Sequence, residues 1–329
     1  MTKKLVKITR ETGIPLVGAI MFGVIDRGTN LLQIRATTIC PLNCIYCSVD
    51  AGLKSKTRRT DYQVDIEYLI QWVKEVIKQK DCTEIEANID SVGEPLAHPD
   101  VTKLVAELKK INEIKRISIQ TNGVLLTKRL VDELEKYGLD QINLSFNTFD
   151  NEQGKFLSGC QDYNLDKIIE MAHYIAKSKI TLLIAPVWIG KLNQEEMPKM
   201  IKFAKEIGAK LGIQKYEKYK LGRGPKEVKQ ESWWKFFNAL KKWENEFDAK
   251  LKLSANDFAI RKTKSLPLVI DKNDKINATI VCDGWMNGQM IASARNRCIT
   301  VEKCDKNIGD KVNVKILENK NNIYLGEMI

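Results

Sequence analysis

The chain has 329 residues, 43% of them hydrophobic, enough to bury one large core and a smaller second domain. No stretch approaches the roughly 20 apolar residues of a membrane span, and the longest early apolar run, 14–25, is broken by Pro15, Gly18 and Gly23. The 53 Lys and Arg against 42 Asp and Glu, a formal net charge of +11, favour a polyanionic partner at long range; a lysine-rich, heat-adapted proteome gives the same balance.

Lys3, Lys4 and Lys7 are followed by Glu11 and by no small-residue cleavage pattern, so a cytoplasmic protein is expected. Residues 1–30 read as an N-terminal extension. From residue 31, short β-rich runs alternate with amphipathic helical ones, the pattern of βα units around a parallel sheet. Strands are expected at 31–38, 84–91, 116–121, 141–146, 181–188 and 211–216. Helices are expected at 62–80, 101–111, 128–137, 165–176 and 195–207, with an aromatic-rich one at 231–247.

About six strands with crossover helices predict an α/β fold whose residues 31–252 form a partial (βα)6 barrel rather than a closed eight-fold one. Right-handed crossovers bring the strand C-termini to one rim, where chemistry is expected. Residues 253–277 show no helical period and read as a connector. From 278 to 329 the text turns to five short β runs (278–281, 289–294, 297–301, 311–316 and 322–326) split by Asp283-Gly284, Asn287-Gly288 and Gly309-Asp310. That pattern predicts a small OB-like β-barrel.

Eight cysteines stand at 40, 44, 47, 82, 160, 282, 298 and 304, against two histidines, His98 and His173. In a reducing compartment such clustering points to metal or catalysis, and with so few histidines sulfur ligands must carry it. Cys40-Pro41-Leu42-Asn43-Cys44-Ile45-Tyr46-Cys47 has the spacing CX3CX2C directly after an expected strand. Three thiolates on a tight loop bind three corners of a cubane cluster and leave the fourth iron open to a small chelating molecule. A zinc knuckle short of one ligand is the plainer reading.

This motif resembles that of the radical S-adenosylmethionine (SAM) superfamily, Tyr46 included. The resemblance implies a [4Fe-4S] cluster on Cys40, Cys44 and Cys47, a SAM chelated through its amino and carboxylate groups, and a 5'-deoxyadenosyl radical that takes hydrogen from a substrate. It also implies an electron donor such as ferredoxin or flavodoxin. Further segments match the family's signatures. Gly93-Glu94-Pro95 resembles the loop whose Glu contacts the SAM amino group. Thr121-Asn122-Gly123, with Ser145 and Asn147 ending the next strand, resembles the polar set at the SAM carboxylate and ribose. The run 188–193, with Gly190 and Asn193, resembles the loop against adenine. As plain turns, Gly-Glu-Pro and Asn-Gly need no ligand. His98 reads better as a helix-start residue than as an acid or base, and His173 as packed in a helix.

The stretch from Gly288 to Ile316 resembles a TRAM domain, known from RNA-modifying enzymes such as the tRNA methylthiotransferases, and so implies RNA, tRNA foremost, as partner. Arg295, Arg297, Lys303, Lys306, Lys311 and Lys315, with Lys54, Lys56, Arg58 and Arg59 after the cysteine loop, are candidate phosphate contacts; a solvated basic face is the alternative. Tyr216, Tyr219 and Arg223 are candidates to stack on a base. Residues 1–39 lack the extra cysteine triad of the methylthiotransferases, so sulfur insertion by their route is not expected. Cys282, Cys298 and Cys304 are candidates for a second cluster or metal, against the reading of small buried barrel residues. With such a cluster, the alternative function is a radical SAM enzyme for a peptide or small molecule. Cys160 is a candidate loop thiol.

Overall fold

The computed structural model describes residues 3–226 and 228–329. Along the chain run β1 (Lys4–Ile8), β2 (Gly23–Asp26), β3 (Leu31–Arg35), β4 (Thr60–Val64), α1 (Ile66–Lys80), β5 (Ile85–Ile89), α2 (Val101–Lys109), β6 (Ile114–Thr121) and α3 (Lys128–Lys136). Then come β7 (Gln141–Leu144), α4 (Asn151–Ser158), α5 (Leu165–Ala176), β8 (Thr181–Ile184), β9 (Val187–Trp188), α6 (Glu196–Glu206), β10 (Lys210–Leu211), β11 (Gln214–Lys215) and α7 (Trp233–Phe247). The last strands are β12 (Lys275–Asp283), β13 (Gln289–Ala294), β14 (Arg297–Glu302), β15 (Lys311–Glu318) and β16 (Leu325–Met328). No described helix is long and apolar enough to cross a membrane.

Two compact units emerge, one made of Met1–Ile39, Lys56–Ile117 and Ile260–Ile329, the other of Cys40–Ser55 and Ser118–Ala259. In the first, β3 pairs parallel with β5 and antiparallel with β2, while β1 pairs parallel with β4. The expected helix 62–80 is therefore shorter: 60–64 are strand, and α1 starts at Ile66 after Asp65, whose side chain accepts from the Tyr68 amide (2.9 Å). Helix α1 buries Ile66, Leu69, Ile70, Val73, Val76 and Ile77, and ends with Lys80 fully buried against Asp26 (2.9 Å). Asp26 also accepts from the Leu266 amide (2.7 Å), which stitches the 260–266 segment to β2.

The same unit holds a closed five-stranded barrel in the order β12-β13-β14-β16-β15, with β14 and β16 parallel and every other pair antiparallel. Strict alternation explains it: Ile276, Ala278 and Ile280 of β12 and Val312, Val314 and Ile316 of β15 point inward to meet Ile299, Val301 and Tyr324. Arg295 and Asn296, both at positive φ (47° and 58°), make the tight turn from β13 to β14. Residues 15–18 lie along β14 and the turn before β16: Cys298 donates from its amide to Val17 O (2.8 Å), and Tyr324 to Gly18 O (3.0 Å). The loop after β12 is held in turn by Arg59 N–H on Trp285 O (2.9 Å) and Tyr62 OH on Asp283 O (2.7 Å).

In the second unit the end of β6, then β7, β8 and β10 lie parallel in that order, with β9 and β11 as a parallel pair. The expected strand 181–188 divides at Pro186, which has no amide to give a ladder. Helix α4 lies where only a loop was expected.

Candidate active site

Cys40, Cys44 and Cys47 form no disulfide and are partly exposed on one loop of the second unit. Two of the sulfurs have a donor of their own. Asn122 offers its amide nitrogen to Cys40 Sγ at 3.9 Å and the Ala51 amide donates to Cys47 Sγ at 3.2 Å, while Tyr46 lines the same small cavity as Cys44. Among the described residues no three His, Cys, Asp or Glu side chains are gathered around one point, these included; the loop presents donors to two of its sulfurs beforehand. Burial, and then the neighbouring Cys47, push the Cys44 thiol up to about 12, against the pull of Tyr46 and of Arg223. Positive metal offsets that penalty and deprotonates thiols outright, and donors aimed at sulfur favour the thiolate, so these residues suit an iron–sulfur cluster.

Beside the loop lies a small cavity lined by Cys44, Tyr46, Asn122, Ser145, Asn147 and Tyr163 among others. Five residues singled out in the sequence thus come together. Thr121 is buried behind them; its hydroxyl accepts from the Gly123 amide (3.0 Å), which fixes the turn that carries Asn122. Asn147 donates to the Tyr46 hydroxyl and accepts from the Val187 amide (2.7 Å). Asn193 is buried with its carboxamide committed to main chain, to Asn147 O (3.1 Å), Val187 O (2.8 Å) and the Ile189 amide (2.7 Å). Its role is to position the loop rather than to reach out. Gly190 is buried at positive φ (56°) in the turn between them.

Gly93, Glu94 and Pro95 belong to the first unit, packed on the exit of β3: the Glu94 amide donates to Ile39 O (2.8 Å), and a side chain on Gly93 would stand 2.3 Å from Thr38 O. Glu94 is buried and its carboxylate accepts from the Leu96 amide (3.0 Å). Arg58 corrects the phosphate expectation. It is 1% exposed, stacks on Trp285 at 4.3 Å and donates to Thr38 O and Val92 O, which fixes the two loop starts on this side. Arg297 is likewise buried, with Nε lacking a partner. Lys54, Lys56, Lys303, Lys306 and Lys311 are exposed.

His98 is buried, with Nε2 on Val64 O (2.9 Å) and Nδ1 accepting from the Asp100 amide (3.1 Å), so it organises the approach to α2 as expected; burial lowers its pKa. His173 packs edge-on against Phe203. The three C-terminal cysteines do not converge: the Cys298 thiol donates to Pro15 O (3.0 Å), Cys304 packs in the barrel interior, and Cys282 is buried beside Asp283. Their surroundings are those of small core residues. Arg223, expected to face a base, instead holds the cysteine loop. Nothing in its spacing announces this, because its partners are mostly main-chain oxygens.

A strand leading to a CX3CX2C loop, parallel βα units and a small cavity beside that loop are the features of an α/β protein built to carry a cluster. The radical SAM superfamily model matches residues 34–204, over half of the chain, and the chain belongs to that superfamily. It is thus an enzyme that works with a [4Fe-4S] cluster and SAM. An uncharacterized protein from Methanocaldococcus jannaschii is 40% identical over 342 residues, which cover 96% of this chain and 79% of that protein. A probable GTP 3',8-cyclase from Pyrococcus abyssi is 28% identical over 66% of this chain and 65% of its own length, so the chain matches a little under two thirds of that relative. Streptococcus suis SuiB bound to S-adenosylmethionine shares the fold at a TM-score of 0.50 and 18% identity, over 74% of this chain and 52% of that one.

Proposed function

We propose that Cys40, Cys44 and Cys47 carry the cluster, that SAM binds beside that loop against Tyr46, Asn122, Ser145 and Asn147, and that this cytoplasmic enzyme modifies a nucleotide in RNA. The single observation that carries the site assignment is a hydrogen-bond donor aimed at each of two thiols, Cys40 and Cys47, on one three-cysteine loop. When bound, the cluster supplies the electron that cleaves the SAM sulfonium. The second unit's part is to hold SAM: Asn122, Ser145 and Asn147 offer polar groups for carboxylate and ribose, and the 188–193 turn a wall for adenine. A partial (βα)6 barrel is the frame this reading gives to the strands and helices of 31–252.

For RNA, the support is the barrel order β12-β13-β14-β16-β15, that of OB folds, together with exposed Lys303, Lys306 and Lys311. The β13–β14 face on which OB folds hold oligonucleotides is in part taken by residues 15–18, so phosphate contacts fall to the lysines beyond it. A second reading, a free purine nucleotide as substrate, is favoured by the likeness to the GTP 3',8-cyclase.

The test is anaerobic reconstitution followed by SAM cleavage with dithionite. Cys44→Ala is expected to lose both the cluster's visible absorbance and 5'-deoxyadenosine formation, and cleavage retained in that variant would overturn the assignment. Adding total tRNA or GTP in parallel separates the substrates: turnover enhanced by GTP and not by tRNA overturns the RNA reading, and substitution of Lys303, Lys306 and Lys311 by Glu should flatten the salt dependence of RNA binding.

A further inference from the structure

Arg223 binds the cysteine loop at four points. Its side chain donates from Nε to Cys44 O (2.8 Å), from one terminal nitrogen to Asp50 Oδ1 (2.7 Å) and from the other to Ala51 O (2.5 Å), and its own amide donates to Cys47 O (2.7 Å). Asp50 is nearly sealed from solvent, sits at positive φ (48°), and accepts from Ser55 Oγ (2.9 Å) through its other oxygen. Ala51, gripped by its carbonyl, is the residue whose amide donates to Cys47 Sγ. Guanidinium, carbonyl, amide and sulfur therefore form one chain of contacts. The approach is possible because Gly222 precedes Arg223: a Cβ there would stand 2.7 Å from Ser48 O and 2.9 Å from Cys47 O.

We propose that Arg223 is a positioning residue for the iron–sulfur cluster: it sets the loop in its ligating shape, keeps the Ala51 amide on the Cys47 sulfur, and raises the cluster's reduction potential. The inference rests on the assignment of the cluster to Cys40, Cys44 and Cys47. Two effects combine. A rigid planar fork serves three acceptors at once, which the single ammonium of lysine does not do. A fixed positive charge and an N–H donor near the thiolates stabilise the more negative, reduced cluster and so shift its potential upward. Shape and potential are separable, because lysine keeps the charge and loses the fork.

Wild type, Arg223→Gln, Arg223→Lys and Gly222→Ala would be reconstituted anaerobically and compared by iron content, by the rate of iron loss to an excess of chelator, and by the midpoint potential from EPR-monitored titration without SAM. Wild type should hold roughly four irons per chain. Arg223→Gln should lose iron on the order of 10-fold faster or more, in line with the loss of groups that support metal ligands, and show a more negative midpoint. Arg223→Lys should keep the midpoint near that of wild type yet lose iron at nearly the rate of the glutamine variant, and Gly222→Ala should speed iron loss with the charge still present. Iron loss and potential unchanged in Arg223→Gln overturn the proposal; if that variant does not fold, unchanged iron loss in both Arg223→Lys and Gly222→Ala overturns it. A wild-type chain that takes up no iron overturns the cluster assignment instead.

Discussion

Asn193 donates from its carboxamide nitrogen to the main-chain oxygen of Asn147 at 3.1 Å. Asn147 in turn accepts from the Val187 amide and reaches the Tyr46 hydroxyl, so two asparagines tie the end of β7, β9 and the cysteine loop into one network. Replacing Asn193 by alanine leaves two buried carbonyls and the Ile189 amide without their partner. Unsatisfied groups cost about 1–3 kcal/mol each, partly recovered by relaxation, so a loss of about 2–4 kcal/mol is expected in urea denaturation. The KM for SAM should rise with it, while iron content stays that of wild type. An Asn193→Ala chain as stable as wild type would contradict the network.

Gly93 adopts no unusual backbone angle; its need is space. A methyl group there would meet Thr38 O at 2.3 Å and Ile39 O at 2.6 Å, both fixed main-chain atoms. Gly93→Ala must therefore lift the 91–95 loop away from the exit of β3. Forcing an extra methyl against fixed atoms costs about 1–3 kcal/mol, and Gly93→Ala is expected to lose about that much stability in urea denaturation. Equal stability for the two proteins would show that the loop has room to yield.

What the chain discloses to a reader is its local grammar. The CX3CX2C spacing, the alternation of β12 and β15, and the helical period of α1 and α5 are all written within a few residues, and the two strands and two helices form, α1 four residues shorter than expected. Long-range partners are not so written. Strand β4 forms because β1, more than fifty residues earlier, lies beside it, and a window around Tyr62 contains nothing of that pairing. Helix α4 buries little beyond Gly154, Leu157 and Ser158, too few positions to mark a period. Arg58 reads as a phosphate contact and Arg223 as a base contact because their partners are mainly carbonyl oxygens, a group that every residue carries.

Asp26 and Lys80 offer a test of the first unit. The ammonium is fully buried and is satisfied by Asp26 Oδ1 (2.9 Å) and Lys264 O (2.7 Å). Asp26→Ala strands a buried cation and frees the Leu266 amide, a change that costs about 3–5 kcal/mol. Replacing both partners, Asp26→Leu with Lys80→Met, removes the stranded charge and should recover much of that loss. Thermal denaturation of the three proteins decides it: a double variant no more stable than Asp26→Ala would contradict the pairing.

The thiol of Cys44 gives the apo chain a pH signature. Burial and the neighbouring Cys47 raise it from its ordinary value of 9.0 to about 12, so above pH 9 the unfolded chain releases a proton that the folded chain retains. With fewer protons bound to the unfolded state, stability falls as pH rises, from near 9 up to about 12, and is intact below that window. Other groups titrate there too, and the comparison with Cys44→Ala isolates this one: the apo variant should lose stability less steeply than apo wild type. Loading the cluster removes the proton in advance, because metal-bound thiols are deprotonated, so the holo chain should also lack the extra slope. Parallel stability curves for apo wild type and apo Cys44→Ala between pH 9 and 11 would mean that the thiol is not held in a desolvated, proton-retaining site.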